Sequence, residues 1–311
     1  MKTAITLLVL LLSTACGRVD GPAANAGVSP AVDKRVAELT KKREPLTRFF
    51  QPMTVREGDW LDSQPENGET FEEYVHGHPT LPTNERKTIY VQPVGTFSAK
   101  QLRVIQQASD YMRAFFNLPV VLRKTQSIDA VPKEMVRVQY PHNKQIRTTY
   151  FIDELLPKML PSDAAALICF TSNDLFPGDT WNYVFGQASL EKRVGVWSIW
   201  RLERDEGKPA GNDLFLDRVL KIAMHETGHM FSMRHCTKYE CLMSGTNHLE
   251  ETDRRPLDTC PECSMKIAWA MNYAPAERYK RLAAFWRERS RTSEQNRMLE
   301  KARAIAHVTE E

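Results

Sequence analysis

Three histidines and a glutamate gather in the last third of this 311-residue chain: His225, Glu226, His229 and His235, in the run HETGHMFSMRHC. His225 and His229 are separated by about one helical turn, so on a helix both imidazoles leave one face and can hold one metal ion. Glu226 follows the first of them, where its carboxylate can reach a water on that metal. By itself HExxH recurs by chance, as two surface histidines flanking a carboxylate. His235 lifts the run above that background, because it stands at the spacing of a third ligand. Three neutral imidazoles leave one position of a tetrahedral zinc open, which is the catalytic type of site rather than the structural one. The chemistry expected is metal-assisted hydrolysis with Glu226 as general base.

The turn between His229 and His235 is ordinarily built on glycine, but this chain has Ser232 there. A residue with a Cβ in the left-handed region costs roughly 1–2 kcal/mol, so a strained turn is expected. Two readings follow: a zinc peptidase, or a zinc-containing peptide-binding envelope protein that is catalytically weak or inactive.

Four of the six cysteines crowd the same region: Cys236, directly after the third histidine, then Cys241, Cys260 and Cys263. Two close pairs suit a tetrahedral thiolate site for a second, structural zinc, with paired disulfides as the alternative. Cys169 lies in the apolar run AALICF and reads as a core residue.

The whole string, HExxHxxSxxHC followed by CxM and then CPEC, resembles the archaemetzincins, a family of metzincin zinc metallopeptidases. A Cys joined to the third His, with three more downstream, marks that family. The resemblance implies a catalytic zinc on His225, His229 and His235, with Glu226 as base. It implies a structural zinc on Cys236, Cys241, Cys260 and Cys263, two zinc ions per chain in all. Met243 falls at the Met-turn position, where the family's Met forms an apolar floor beneath the histidines. Segments Glu57–Tyr74, Ile89–Phe97, Val184–Leu202 and Pro275–Leu282 look like parts of the longer archaemetzincins. Residues 55–287 are therefore expected to form an archaemetzincin-like peptidase domain. The implied fold is α/β (α+β) and metzincin-like: a mixed twisted sheet packed with the active-site helix, and a C-terminal helical part holding the four-cysteine zinc site. Tyr183–Ala188 is the candidate, by resemblance, for an edge strand that binds an extended peptide through its free backbone; an interior strand is the alternative.

The elements that must position these residues can be read from periodicity. Ile89, Val91 and Val94 suggest a strand, and Ser98 with Gln101 makes a capping box that opens a helix. Leu102, Ile105, Met112 and Phe116 give that helix a buried face. Further strands are expected over 120–122, 165–170, 183–188 and 194–199. The motif helix begins at Asp213 or a neighbour, with Leu216, Val219, Leu220 and Ala223 on one side. Met265–Met271 looks helical, and Pro275 can start a helix with Tyr279, Leu282, Ala283 and Trp286 as its apolar stripe. Residues 34–48 and the charged helix or tail 288–311 read as solvated, and His248 as a loop surface residue.

Net charge is +3, with 42 basic and 39 acidic residues, which gives no electrostatic footprint for nucleic acid. The first sixteen residues differ from the rest. Lys2 precedes Ile5–Leu12, an apolar stretch too short to span a bilayer, then small Ser13, Thr14 and Ala15, then Cys16. This resembles a bacterial lipobox. Residues 1–16 are expected to be a signal and Cys16 the lipidated anchor, with 17–54 a tether and N-terminal helical segment. The expectation is a monomeric, membrane-associated enzyme of the bacterial cell envelope that acts on peptide or protein substrates; plain secretion is the alternative. An oxidising compartment favours disulfides, whereas the ligand spacing favours zinc.

Overall fold

The computed structural model describes residues 30–139, 143–205, 208–209 and 211–306; Cys16 and the expected signal lie outside them. The described residues open with four helices: α1 (Pro30–Lys41), α2 (Glu44–Thr47), α3 (Trp60–Ser63) and α4 (Phe71–His76). It continues through β1 (Thr88–Val94), α5 (Ala99–Phe116), β2 (Val120–Leu122), β3 (Val136–Gln139), β4 (Asn143–Arg147), β5 (Ala164–Thr171), β6 (Asp174–Phe176), β7 (Gly186–Ser189) and β8 (Val194–Ser198). The last part is helical: α6 (Asn212–Met230), α7 (Leu249–Arg254), α8 (Pro261–Ala270), α9 (Pro275–Arg287) and α10 (Thr292–Ala306).

The main sheet has the order β2-β1-β5-β8-β7. All its pairings are parallel except β7 with β8, which is antiparallel. Strand β5 is buried along its whole length, which explains its unbroken apolar sequence: a parallel strand covered on both faces has no solvent side. Successive side chains still alternate. Ala166, Ile168 and Phe170 enter the core that includes α5 and α6. Leu167 and Cys169 enter a second core with Ile146, Phe151 and Leu175. Cys169 is fully buried, as its apolar neighbours suggested.

The capping box on α5 forms as expected: Ser98 Oγ accepts from Gln101 N at 3.2 Å, and Gln101 Oε1 accepts from Ser98 N at 2.8 Å. Its buried face runs through Val104, Ile105, Ala108 and Met112, and Leu102 lies outside it at 40% exposure. α8 starts at Pro261, four residues earlier than Met265, because Pro is well suited to a first helical position.

Two segments expected to be solvated are docked. Leu39, Leu46 and Phe50, around α1 and α2, are buried in the main core. Met298, Ala302 and Ile305 give α10 an i, i+4, i+7 seam in that same core. Lys301 of that helix is buried too, donating to Asp258 Oδ2 at 2.6 Å. A three-stranded sheet, β3-β4-β6, stands apart from the main one and was not anticipated. Its sequences VRVQ and NKQIR carry too few apolar residues to signal strands.

Candidate active site

α6 carries His225, Glu226 and His229 at its C-terminal end. Phe215, Leu216, Val219, Leu220 and Ala223 of this helix are buried, and so are the three motif residues. The chain leaves the helix at Phe231 and reverses at Ser232, whose φ is 65°. His235 then returns to the two helical histidines. One ring nitrogen from each of the three lies within 4.8 Å of the others.

Hydrogen bonding decides which nitrogens face inward. His225 Nδ1–H donates to Leu242 O at 2.9 Å, His229 Nδ1–H to Met233 O at 2.6 Å, and His235 Nδ1–H to Glu66 Oε1 at 2.6 Å. All three acceptors are oxygens without hydrogen, so each Nδ1 carries a proton, and in the neutral ring that ligation requires Nε2 is the atom with the free lone pair. His225 Nε2 and His229 Nε2 lie 2.9 Å apart, and His235 Nε2 is buried with no partner. Three inward lone pairs in a buried space repel one another unless a cation joins them, so the donor set fits zinc. Burial, reinforced by the neighbouring imidazoles, drives His225 well below its ordinary pKa and His229 to about 3, keeping both rings neutral for ligation.

Glu226 is 1% exposed and its Oε2 has no hydrogen-bond partner. Burial pushes its pKa up to about 8. A divalent cation among the adjacent imidazoles pulls the other way. The carboxylate lines a cavity of about 30 Å3 together with Trp60, Phe185, Lys221, His225 and Arg255. A larger cavity, of about 540 Å3, has His229, Ser232, Tyr74 and Leu190 among its walls.

Met243 lies against Gly228, between the two helical ligands. A Cβ at Gly228 would lie 2.6 Å from the Met243 sulfur, so the missing side chain is what lets the Met pack against α6 there.

Cys236, Cys241, Cys260 and Cys263 form a second buried cluster, with sulfurs within 4.8 Å of one another. Cys236 Sγ and Cys260 Sγ are 3.6 Å apart, far beyond a disulfide bond, and all four thiols are free. Cys241 Sγ accepts from the backbone N–H of Met243 at 3.4 Å and of Cys260 at 3.2 Å, as a metal-bound thiolate commonly does. Hydrogen bonds from the other three sulfurs hold the Cys236 thiol far below its usual range, while burial pushes Cys241 and Cys260 up. Four thiolates so close cannot coexist without a cation, and this donor set again fits zinc.

β7 is the edge strand of the main sheet. It starts at Gly186 rather than Tyr183, because Val184 pairs instead with Leu175. His248 sits half-buried in the loop before α7, as expected of a loop residue, and also caps that helix, its Nδ1 accepting from Glu251 N at 3.1 Å.

Sequence reasoning missed Glu66 and Trp60. Both lie far upstream of the motif, yet Glu66 Oε1 also accepts from Trp60 Nε1 at 2.6 Å. Burial would raise Glu66, but the His235 and Trp60 donors outweigh it and hold the carboxyl below its usual range. Both residues fall in the segment Glu57–Tyr74, so the resemblance pointed to the stretch without giving either residue a role.

A model of peptidase family M54 matches residues 102–269. Archaemetzincin-2 of Pongo abelii is 34% identical over 271 residues, covering 77% of this chain and 75% of that protein. The human archaemetzincin-2 is 33% identical over 276 residues, with the same coverage of 77% and 75%. Among solved structures, archaemetzincin from Archaeoglobus fulgidus is similar over 58% of this chain and 99% of its own, at 26% identity and a TM-score of 0.45.

Proposed function

The chain belongs to peptidase family M54, the archaemetzincins, and from that premise we propose that it hydrolyses peptide bonds at a zinc site formed by His225, His229 and His235, with Glu226 moving the protons. One observation carries this reading: ring nitrogens of three histidines converge, and Glu226, buried with an unpartnered carboxylate oxygen, lines one cavity with two of them, His225 and His235. Zinc, when bound, supplies Lewis acidity, acidifying a water and polarising the scissile carbonyl. Glu226 accepts the proton of the attacking water and then delivers it to the leaving amine. The Nδ1 acceptors fix the tautomer of each ligand, and the burial of Glu226 limits the bulk water that competes for the proton. Cys236, Cys241, Cys260 and Cys263 hold a second, structural zinc.

The substrate is an extended peptide lying along the free edge of β7, as an added antiparallel strand. Two contacts support that course: Phe185, just before β7, lines the small cavity beside Glu226, and Leu190, just after it, lines the large one beside His229. Antiparallel pairing then puts residues N-terminal to the cut by the large cavity, and the residue after the cut by the small one. A lipidated Cys16 would hold the enzyme, as a monomer, at the bacterial cell envelope; the lipobox-like run before Cys16 supports this. Among the described residues no helix is long and apolar enough to cross a membrane.

The test is metal dependence. A peptide library should be cleaved by zinc-replete protein, spared after chelation, and cleaved again when zinc returns. Cleavage that survives complete chelation overturns the proposal.

A further inference from the structure

We infer that Glu66 is a positioning residue of the histidine metal site, holding His235 in the ring orientation and tautomer that ligation requires. The inference rests on the zinc reading of that site. Two of the imidazoles are steered by main-chain carbonyls close to the motif, Leu242 and Met233. His235 alone depends on a side chain, and one 169 residues away in sequence. It is also the ligand that no helix holds, since it follows the Ser232 turn.

The carboxylate is itself held. Trp60 Nε1–H donates to the same oxygen, and the indole stands edge-on to the His235 ring at 5.2 Å and 77°. Gly245 makes room for that indole: a Cβ there would lie 2.4 Å from it. The segment is tied to α7 by Trp60 N donating to Glu251 Oε2 at 3.0 Å, and to the loop after Met243 by Asn247 Nδ2 donating to Gly58 O at 3.1 Å. Trp60 and Glu66 lie outside residues 102–269, so the match to the family model does not cover this part of the site.

A carboxylate on Nδ1–H locks the tautomer and makes Nε2 a better donor to a metal; losing such a partner typically weakens metal binding about 10–100-fold. In His235 the Nε2 atom is buried and has no other partner.

The test is cobalt titration of the full chain, wild type against Glu66→Ala and Glu66→Gln. The thiolate site is followed by its charge-transfer bands, and the histidine site by the d–d intensity that remains once the thiolate site's own d–d contribution, fixed by those bands, is subtracted. E66A should weaken cobalt binding at the histidine site about 10–100-fold and leave the thiolate bands unchanged. E66Q, which keeps an acceptor but loses the charge, should fall between, and it decides the matter alone if E66A does not fold. Wild-type affinity at the histidine site in E66Q and in any folded E66A overturns the role of Glu66. Absence of any histidine-site band in the wild type overturns instead the zinc reading on which that role rests.

Discussion

Ser232, whose φ is 65°, accepts the backbone N–H of Thr80 on its Oγ at 2.9 Å. The hydroxyl therefore offsets part of the strain created by having a Cβ at that turn, and it ties the loop after α4 to the metal motif. Serine here makes a bond that glycine cannot.

Replacing Ser232 separates the two effects. Ser232→Ala keeps the Cβ in the left-handed region and loses the hydrogen bond, so it should be less stable than wild type by about 1 kcal/mol. Ser232→Gly loses the same bond but relieves roughly 1–2 kcal/mol of strain, and should match wild type or slightly exceed it. Thermal melts of the zinc-loaded proteins check the order. An S232A protein as stable as S232G would mean the strain is negligible.

The histidine and cysteine clusters are mechanically joined, because Cys236 follows His235 and its N–H donates to Met243 O at 2.8 Å, while Met243 N–H donates to Cys241 Sγ. Structural zinc sites contribute directly to folding, with apparent binding of about 10–16 kcal/mol in small peptides. Cys260→Ala should therefore lose the thiolate zinc and also loosen the loop that carries His235. Elemental analysis should find less than one zinc per chain, with a lowered melting temperature and reduced cleavage. A C260A protein with one full zinc and wild-type activity would show the sites to be independent.

Asp59 anchors the segment that brings Trp60 and Glu66 to the site. It is 1% exposed and accepts from Arg254 Nη2 at 2.7 and 2.8 Å and from Arg56 N at 2.8 Å. Burial pushes its pKa up, but the Arg254 hydrogen bonds and charge, together with the Arg56 N–H, outweigh this and hold it below the usual carboxylate value. A carboxyl depressed in the folded state stabilises it above the unfolded pKa, and that contribution fades as pH falls through the folded one. Asp59→Asn should cost about 2 kcal/mol at neutral pH. The difference from wild type should stay constant from about pH 5 to 8 and shrink below about pH 4. Chemical denaturation of both proteins across that range measures it; a gap that widens in acid would contradict the assigned direction.

The cavity beside Glu226 has room for little more than a water, about 30 Å3. Cleavage-site profiling by mass spectrometry should accordingly find Gly, Ala or Ser enriched directly after the cut and aromatic residues depleted. Aromatic enrichment there would rule out the antiparallel course along β7 or this cavity as the site of the residue after the cut.

What the sequence made legible follows from local chemistry. The motif histidines sit one turn apart on a helix, Ser98 and Gln101 are within four residues, and β5 advertises itself by unbroken apolarity. Other features depend on partners remote in the chain. Glu66 meets His235 only after the N-terminal segment folds back over the motif loop. The acceptors for His225 and His229 are main-chain carbonyls, which no residue type reveals. α10 was read as solvated because its charges outnumber the narrow seam of Met298, Ala302 and Ile305, and β3-β4-β6 went unseen because its strands are largely polar.

The most direct measurement pairs zinc content with turnover in wild type and Glu226→Gln. The substitution keeps the shape of the side chain but removes the group that accepts the proton. Both proteins should hold two zinc ions per chain, and E226Q cleavage should fall by at least about 100-fold, the scale of a lost general base. E226Q with full zinc and wild-type cleavage would contradict the account at its centre.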